Sequence, residues 1–410
     1  MLKEQKGVFI IAQSWPCDTY GGSIAVTSSL KQYCKYFDKV IYLCLNERSM
    51  APIVSESFKD VLFQHIPVKK GGFLKRFGYS LLLNKPAITI GMGGSKVFGN
   101  IKGVMDKNLS ESSMAFAGII EDNVPGVHLK SLKKNFPRIP WVFKSHDVLH
   151  EAFSIFKEVG SPIMRLAWGM EINKIFAFEK KTVQRADLNW TITQDDLHLS
   201  ESKYQKSMDG VFDSDIPQHR YENVKPGNKY RIIYLGSADS RKGHGIRVFI
   251  KDSWPTLHKR FNEKGLKLIL GGRLTESFDS VSNGVEGIGY VENEIDFLGE
   301  GSIFINPQVA GTGLKLKSLV AMASGKVLVT TTNGALGLGG KAGKHYVVAN
   351  SPSEMVEKIS LLLNDEKYLE QIRTNAKIYI KDNFSEKALE QRVLPLLNAL
   401  WEKQKGVSNE

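Results

Sequence analysis

Residues 311–331 read GTGLKLKSLVAMASGKVLVTT, and this stretch decides the fold. It follows the apolar run 303–307, opens with two glycines around a threonine, continues with helical spacing and passes through Gly325 into a β-branched run. We interpret it as strand, glycine loop, helix and strand. A helix that begins after such a loop directs unpaired N–H groups and the positive end of its dipole outward. Because Lys315 and Lys317 add positive charge, the stretch predicts a site for an anion such as a diphosphate.

The same alternation of apolar runs and helical patterns fills the rest of the chain. The runs that predict strands are 8–13, 40–45, 61–66, 114–120, 140–145 and 188–193 in the first half, and 231–236, 266–272, 287–291, 303–305 and 327–329 in the second. Strands that alternate with helices predict parallel sheets of the α/β class. A polar segment between 213 and 228, with Pro217, Pro226 and Gly227, predicts a linker between two domains.

Length and composition set the outer limits. With 410 residues, 42% hydrophobic and 24% charged, the chain predicts a globular protein of two domains. Its three cysteines, Cys17, Cys34 and Cys44, have neither metal-site spacing nor an even number, which favours a reducing cytoplasm and no metal site. The apolar run after Met1 is too short for a signal peptide, and no run reaches the ~18 apolar residues of a membrane span. We expect a soluble or peripheral protein.

The net charge of +12 predicts attraction to an anionic partner. Nucleotide diphosphates, anionic lipid and nucleic acid all qualify, but the lysines are dispersed and no basic helix or RNA-binding motif occurs, so we expect no nucleic acid. The segment KKGGFLKRF, residues 69–77, is either an ordinary loop and helix or a docking segment for an anionic membrane surface. Its candidate contacts are Lys69, Lys70, Phe73, Lys75 and Arg76.

Two further positions follow strand ends, where open α/β sheets bind their ligands. His146 and Asp147 come directly after the run 140–145, although a hydrogen-bonded structural histidine is the alternative. Arg273 follows Gly271 and Gly272 and is a candidate for a pyrophosphate contact, with a solvated surface arginine as the alternative.

Several motifs in the second half together resemble family 4 of the glycosyltransferases, the "group 1" retaining enzymes. They are YLGSADSRKG (234–243), GG-Arg273, GIGYVENEIDFL (287–298), FINPQVAGTGLKLKSLVAMASGKVLVTT (304–331) and NDEKYLEQIRTNAKIYIKDNFS (364–385). The first half resembles the family more loosely, at Gly21-Gly22, 145–147 and 179–187. The resemblance implies the GT-B fold, in which two Rossmann-like domains face each other across a cleft. We expect an acceptor domain at 1–215, a nucleotide-sugar domain at 225–380 and a helix at 381–410 that packs back on the first domain.

The resemblance also implies roles for individual residues. His146, with Asp147 beside it, would lie at the reacting sugar, and Lys242 would hold the donor diphosphate. Arg241 would substitute for an arginine that the family carries near Ser237. Val320 stands where the family has a glutamate that reaches the donor ribose, and a second family glutamate is missing near Thr312. The expected donor-binding set is Gly21, Gly22, Ser237, Arg241, Lys242, Arg273, Tyr290, Val291, Gly311, Thr312, Gly313, Lys317 and Val320.

The resemblance therefore predicts a hexosyltransferase of class EC 2.4. It would move a hexose or deoxyhexose from a nucleoside diphosphate sugar to a glycan or lipid-linked acceptor in cell-surface polysaccharide synthesis, with retention and without a metal or cofactor. It would act in the cytoplasm, either free or at the inner face of the membrane. The two missing glutamates motivate one alternative, a catalytically silent GT-B binding partner, and a nucleotide-sugar epimerase of the same fold is the other.

Overall fold

The computed structural model describes residues 5–17, 21–48, 58–69, 71–157, 161–236, 243–273, 275–278 and 283–409. The chain divides into two compact units. The first comprises Met1–Ser214 and Glu390–Glu410, and the second comprises Asp215–Leu389. Each unit is built on one parallel sheet, which confirms the predicted α/β class.

The sheet of the first unit has seven parallel strands in the order β3-β2-β1-β4-β5-β6-β7. Its strands are β1 Lys6–Ala12, β2 Lys39–Asn46, β3 Val61–Pro67, β4 Ala115–Glu121, β5 Trp141–Ser145, β6 Leu188–Thr191 and β7 Gly210–Val211. The order reverses between β1 and β4, and such a switch point is where α/β sheets bind ligands beyond their carboxyl ends. The strands are buried along most of their length because helices cover both faces of a parallel sheet.

The helices of the first unit connect these strands. They are Gly21–Tyr36, Phe73–Leu83, Ser95–Ser110, Leu129–Asn135, Leu149–Ala152, Pro162–Arg185 and Gln194–Tyr204. Ser161 and Thr193 cap two of them, because each side chain accepts a hydrogen bond from a backbone N–H in the first helical turn. The sequence prediction missed Ser95–Ser110, in which Val97, Ile101 and Met105 are buried at four-residue spacing.

The second unit has six parallel strands in the order β10-β9-β8-β11-β12-β13. The strands are β8 Asn228–Leu235, β9 Lys267–Gly271, β10 Val285–Gly289, β11 Gly301–Asn306, β12 Val327–Thr330 and β13 Val347–Val348. The helices are Gln218–Tyr221, His244–Val248, Trp254–Phe261, Glu294–Glu300, Leu316–Ala323, Pro352–Asn364 and Glu366–Asn383. Gly245 is required by close packing, since a Cβ there would lie 1.7 Å from the carbonyl oxygen of Pro307.

The last helix, Glu386–Asn409, returns the chain to the first unit from Glu390 onward. Trp401 is buried, and its ring centroid lies 6.2 Å from that of Phe37. Leu396 packs closely against Gly210, since a Cβ on Gly210 would lie 2.5 Å from the Cδ2 atom of Leu396. Within the described ranges, no helix combines the length and the apolar character that crossing a bilayer requires.

Candidate functional site

A buried ionic cluster lies at the carboxyl end of the first sheet. Glu121 is the last residue of β4, and Lys144 and His146 stand at the end of β5 and just beyond it. One oxygen of the Glu121 carboxylate, Oε1, accepts from Lys144 Nζ at 2.7 Å and lies 2.8 Å from His146 Nε2. The other oxygen accepts from the Tyr33 hydroxyl at 2.6 Å. The structure therefore places the predicted His146 on a carboxylate that the sequence analysis did not identify.

The neighbouring cationic and hydrogen-bonding groups of this cluster stabilise the ionised form of Glu121. Burial alone would raise the pKa of Glu121, but Lys144 and His146 outweigh it and lower that pKa from 4.5 to about 2. Burial lowers the pKa of Lys144, and the neighbouring Glu121 opposes that effect. The Lys144 ammonium also donates to Ser29 Oγ and lies 4.3 Å from the centroid of the Phe212 ring. Glu121 is thus an ionised carboxylate with neither oxygen exposed to solvent.

Hydrogen bonds with the side chains of Asn123 and Glu179 hold the loop after β5 in place. Asn123 Oδ1 accepts from the backbone N–H of His146 at 3.0 Å, and its Nδ2 donates to the carbonyl oxygen of Asp147 at 2.7 Å. Glu179 accepts from the backbone N–H groups of Leu149 and His150 at 2.7 and 3.1 Å. These bonds hold the main chain at 146–150, so His146, whose side chain is 11% exposed, is positioned at the carboxyl edge of the sheet.

Gly21 and Gly22 differ from their predicted conformation. We expected a glycine turn across 20–23, but both residues are the opening of the helix Gly21–Tyr36. This helix follows β1 at the switch point, and its first turn holds no acidic residue. Its backbone N–H groups are therefore suited to an anion at the carboxyl edge of the sheet.

The second unit contains the predicted glycine loop. The chain leaves β11 after Asn306 and enters the helix Leu316–Ala323 after a loop that contains Gly311 at φ 116° and Gly313 at φ 77°. Both values lie in the region that favours glycine. Asn333 Nδ2 donates to the Gly311 carbonyl oxygen at 3.0 Å, and this hydrogen bond holds the loop in place.

Lys315 does not have the role that we expected. Its side chain is buried, and its Nζ donates to the carbonyl oxygens of Thr312 at 2.7 Å and Gly313 at 3.1 Å. The ammonium therefore orients the peptide groups of the loop. Because those carbonyls are bound by Lys315, the positive charge that we assigned to a bound anion stabilises the loop itself.

Lys317 lies at the meeting point of the loop and β8. Its Nζ is 4.9 Å from the centroid of the Tyr234 ring, one residue before the end of β8. A Cβ on the following Gly236 would lie 3.4 Å from the same Nζ. The structure thus brings Lys317 to the carboxyl edge of the second sheet, where the glycine loop also lies.

The other predicted donor-binding residues have different surroundings. Arg273 follows β9 and is exposed, and Tyr290, after β10, is 80% exposed. Val291 is half-buried and packs on β9, since a Cβ on Gly271 would lie 2.5 Å from its Cγ2 atom. Val320 is buried in the helix Leu316–Ala323. Ser237, Arg241 and Lys242 lie outside the described residues.

Across the part of the chain that the structure describes, no three His, Cys, Asp or Glu side chains are grouped so that they could hold a metal ion. The ionisable side chains at the two sheet edges include Glu121, Lys144, His146 and Lys317.

Comparisons with known proteins agree with this geometry. Residues 229–365 match the sequence model of the family "Glycosyl transferases group 1". An "Uncharacterized 44.6 kDa protein in cps region" of Klebsiella pneumoniae is 32% identical over 97 residues, which is 23% of this chain. The match spans about a quarter of the length of that relative.

The whole chain is also similar to solved structures. Anabaena Alr3699/HepE in complex with UDP has a TM-score of 0.64 at 12% identity, covering 96% of this chain and 99% of that one. Sucrose-phosphate synthase from Thermosynechococcus elongatus has a TM-score of 0.67 at 13% identity, and the match covers 98% of this chain and 100% of that one. A glycosyltransferase from Rickettsia africae has a TM-score of 0.64 at 11% identity, and the match covers 97% of this chain and 99% of that one. The chain has the GT-B fold, and its residues 229–365 match the sequence model of the group 1 glycosyltransferases.

Proposed function

We propose that this protein is a hexosyltransferase that moves a sugar from a nucleoside diphosphate sugar to an acceptor hydroxyl. The observation that carries the proposal is the glycine loop 311–313 with Lys317 at the carboxyl edge of the second sheet. An ammonium group and a helix N-terminus are suited to a diphosphate. HepE, which is similar in fold, has been solved with UDP and with UDP-glucose, which supports a nucleotide-sugar donor.

In the proposed reaction, negative charge grows on the departing diphosphate. Lys317 and the N–H groups of 311–313 would stabilise that charge, with Lys242, Arg241 and Arg273 as further proposed donor contacts. Preorganised groups of this kind usually make the largest electrostatic contribution to catalysis. We therefore expect transfer without a divalent cation, and turnover in excess EDTA tests this directly. Retention of the anomeric configuration is part of the proposal and is read from the product by NMR.

The first unit would supply the acceptor side. His146 would lie at the reacting sugar, with Asp147 beside it, and Gly21 and Gly22 would allow close backbone approach to the diphosphate. The proposed acceptor is a glycan or a lipid-linked sugar in cell-surface polysaccharide assembly. The Klebsiella relative, which is described as lying in a cps region, supports that context.

The donor site is tested by a binding and turnover panel. The purified protein is incubated with UDP, GDP, TDP and CMP sugars, and thermal shift and donor hydrolysis are recorded. Lys317→Ala should weaken binding of the preferred donor by about 10- to 150-fold, because a charge-assisted contact of roughly 1.5–3 kcal/mol is lost. Lys358→Ala, in the helix Pro352–Asn364, is the matched control and should bind like the wild type. Equal binding by both variants would remove Lys317 from the site.

Two rival functions give different results in the same panel. Val320 and Thr312 stand where the family carries glutamates, so a silent binding partner remains a specific candidate. Donor binding without hydrolysis or transfer would favour that partner. Interconversion of nucleotide sugars without any acceptor would favour an epimerase.

The proposal extends to a peripheral location on the inner face of the cytoplasmic membrane. Lys69 and Lys75 are exposed, Arg76 is half-buried, and the backbone of Phe73 opens the helix Phe73–Leu83. Lys70 lies outside the described residues. Basic side chains beside a membrane interact favourably with anionic headgroups, and these residues supply the charged part of such a contact.

A further inference from the structure

Two helices of the first unit present large apolar side chains to solvent. On the helix Phe73–Leu83, Tyr79, Leu81 and Leu83 are about half exposed and Leu82 is 81% exposed. On the helix Pro162–Arg185, Ile163 is 80% and Leu166 69% exposed, with Met164 and Met170 also exposed. Ile163, Leu166 and Met170 have the three- and four-residue spacing of one helical face. We call these eight side chains the apolar face.

The two halves of the apolar face flank one contact between the helices. Ser80 Oγ donates to the Glu171 carboxylate, and Lys174 Nζ donates to Ser80 Oγ at 2.8 Å and to the Ser80 carbonyl oxygen at 3.1 Å. Ser80 and Glu171 are both buried. Tyr79 and Leu81 flank Ser80 in the chain and Met170 directly precedes Glu171, so this contact holds the two apolar helices beside each other.

The charged side chains of the two segments that carry the apolar face, 71–89 and 161–170, are basic. Lys75, Lys85 and Arg165 are exposed on or beside the two helices. The segments 71–89 and 161–170 contain no aspartate or glutamate. Glu171, which directly follows the second segment, is buried and accepts from Ser80, Lys174 and the backbone N–H of Ala87. The face is therefore apolar, with a basic surround and no exposed carboxylate in these segments.

We propose that the apolar face inserts into an anionic lipid surface. Helices with an apolar face and a basic surround lie in the plane of a bilayer interface, where apolar burial and attraction to anionic headgroups act together. Exposed apolar patches mark interaction sites, and the basic surround favours lipid over an uncharged protein partner. The inference deepens the proposed function, because docking would bring the enzyme to a lipid-linked acceptor. Only this purpose rests on the proposed function, and lipid binding itself does not. It also transfers the main contact from 69–76 to residues that the sequence analysis did not single out.

The test is co-sedimentation of the full chain with phosphatidylcholine vesicles, with and without phosphatidylglycerol, at about 0.1 M and about 0.5 M salt. We expect binding to the anionic vesicles that weakens as salt rises. The triple variant Leu82→Ser, Ile163→Ser, Leu166→Ser should reduce the partition coefficient by at least about tenfold, because three apolar contacts are lost. Lys75→Gln with Arg165→Gln should remove most of the preference for phosphatidylglycerol.

The matched control is Leu361→Ser with Ile378→Ser, two exposed apolar side chains of the second unit. This variant should bind vesicles like the wild type. The inference is overturned if the wild type ignores anionic vesicles or if both sets of serine variants bind equally. It is also overturned if the triple variant only dissociates a dimer in sedimentation velocity, since the occupant would then be a second copy of the chain.

Nucleotide-sugar binding by the same variants separates this inference from the proposed function. Vesicle binding without any donor binding would overturn the transferase and keep the docking surface. Donor binding without vesicle binding would do the reverse.

Discussion

Replacing Lys144 with methionine would leave the Glu121 carboxylate buried without its cationic partner. Both side chains are fully buried, and Lys144 Nζ lies 2.7 Å from Glu121 Oε1. The fall of the Glu121 pKa from 4.5 to about 2 corresponds to about 3 kcal/mol in favour of the ionised form. Removing one partner of a buried ion pair typically costs about 3–5 kcal/mol. We expect Lys144→Met to lower the free energy of unfolding of the first unit by an amount in that range.

A double-mutant cycle measures how much of this loss belongs to the pair. Glu121→Gln, Lys144→Met and the double variant are unfolded in urea at neutral pH and followed by circular dichroism and tryptophan fluorescence. The double variant should lose less than the sum of the two single losses, by about 3 kcal/mol, because it leaves no uncompensated charge. Losses that add to within roughly 0.5 kcal/mol would show that the two residues are independent and would refute the argument.

Acid supplies a second check of the same cluster. Since folding lowers the pKa of Glu121, its contribution to stability is complete above the ordinary value of 4.5 and is lost as pH falls toward about 2. The wild type should therefore lose more stability than Glu121→Gln across that window. Equal acid sensitivity would mean that Glu121 is not ionised in the folded protein.

Three further variants test individual residues. His146→Gln should reduce transfer by at least about 100-fold while the nucleotide-induced thermal shift persists; unchanged turnover would exclude His146 from the reaction. Val320→Glu adds a carboxylate at a buried position, so its melting temperature should fall without nucleotide and recover more than that of Val320→Gln when donor is added. Burial lowers the pKa of Lys326 from 10.5 to about 7. Between these two pH values the unfolded chain binds a proton that the folded chain does not bind, and this difference opposes folding. Wild-type stability should thus rise between pH 7 and 10.5 relative to Lys326→Met, and parallel profiles in urea melts would contradict this.

The architecture was predictable because most strands of a parallel sheet are continuous apolar runs. The strands that were missed, Gly210–Val211 and Val347–Val348, have two residues each and are too short to form a pattern. The helix Ser95–Ser110 was missed because Gly99 and Gly103 weaken its helical signal.

The candidate site was predictable only in part. The strand-end rule gave His146 but not Glu121, whose role depends on contacts with another strand and with Tyr33. One signal was available: Lys144 lies within an apolar run of a parallel sheet, and a buried lysine requires a carboxylate partner. The direction of the Lys315 side chain, by contrast, depends on the positions of loop carbonyls that local spacing does not encode.

The return of the chain to the first unit at Glu390 has a consequence for biosynthesis. The segment that covers Phe37 and packs against Gly210 is made only after the entire second unit has been translated. The roughly 190 residues between Ser214 and Trp401 take about 10–40 s to synthesise at typical rates. During that interval the nascent first unit lacks Trp401 and Leu396, so we expect the apolar surface around Phe37 to be uncovered. A synonymous slow codon after Leu389 would lengthen that interval without changing a single contact of the finished protein.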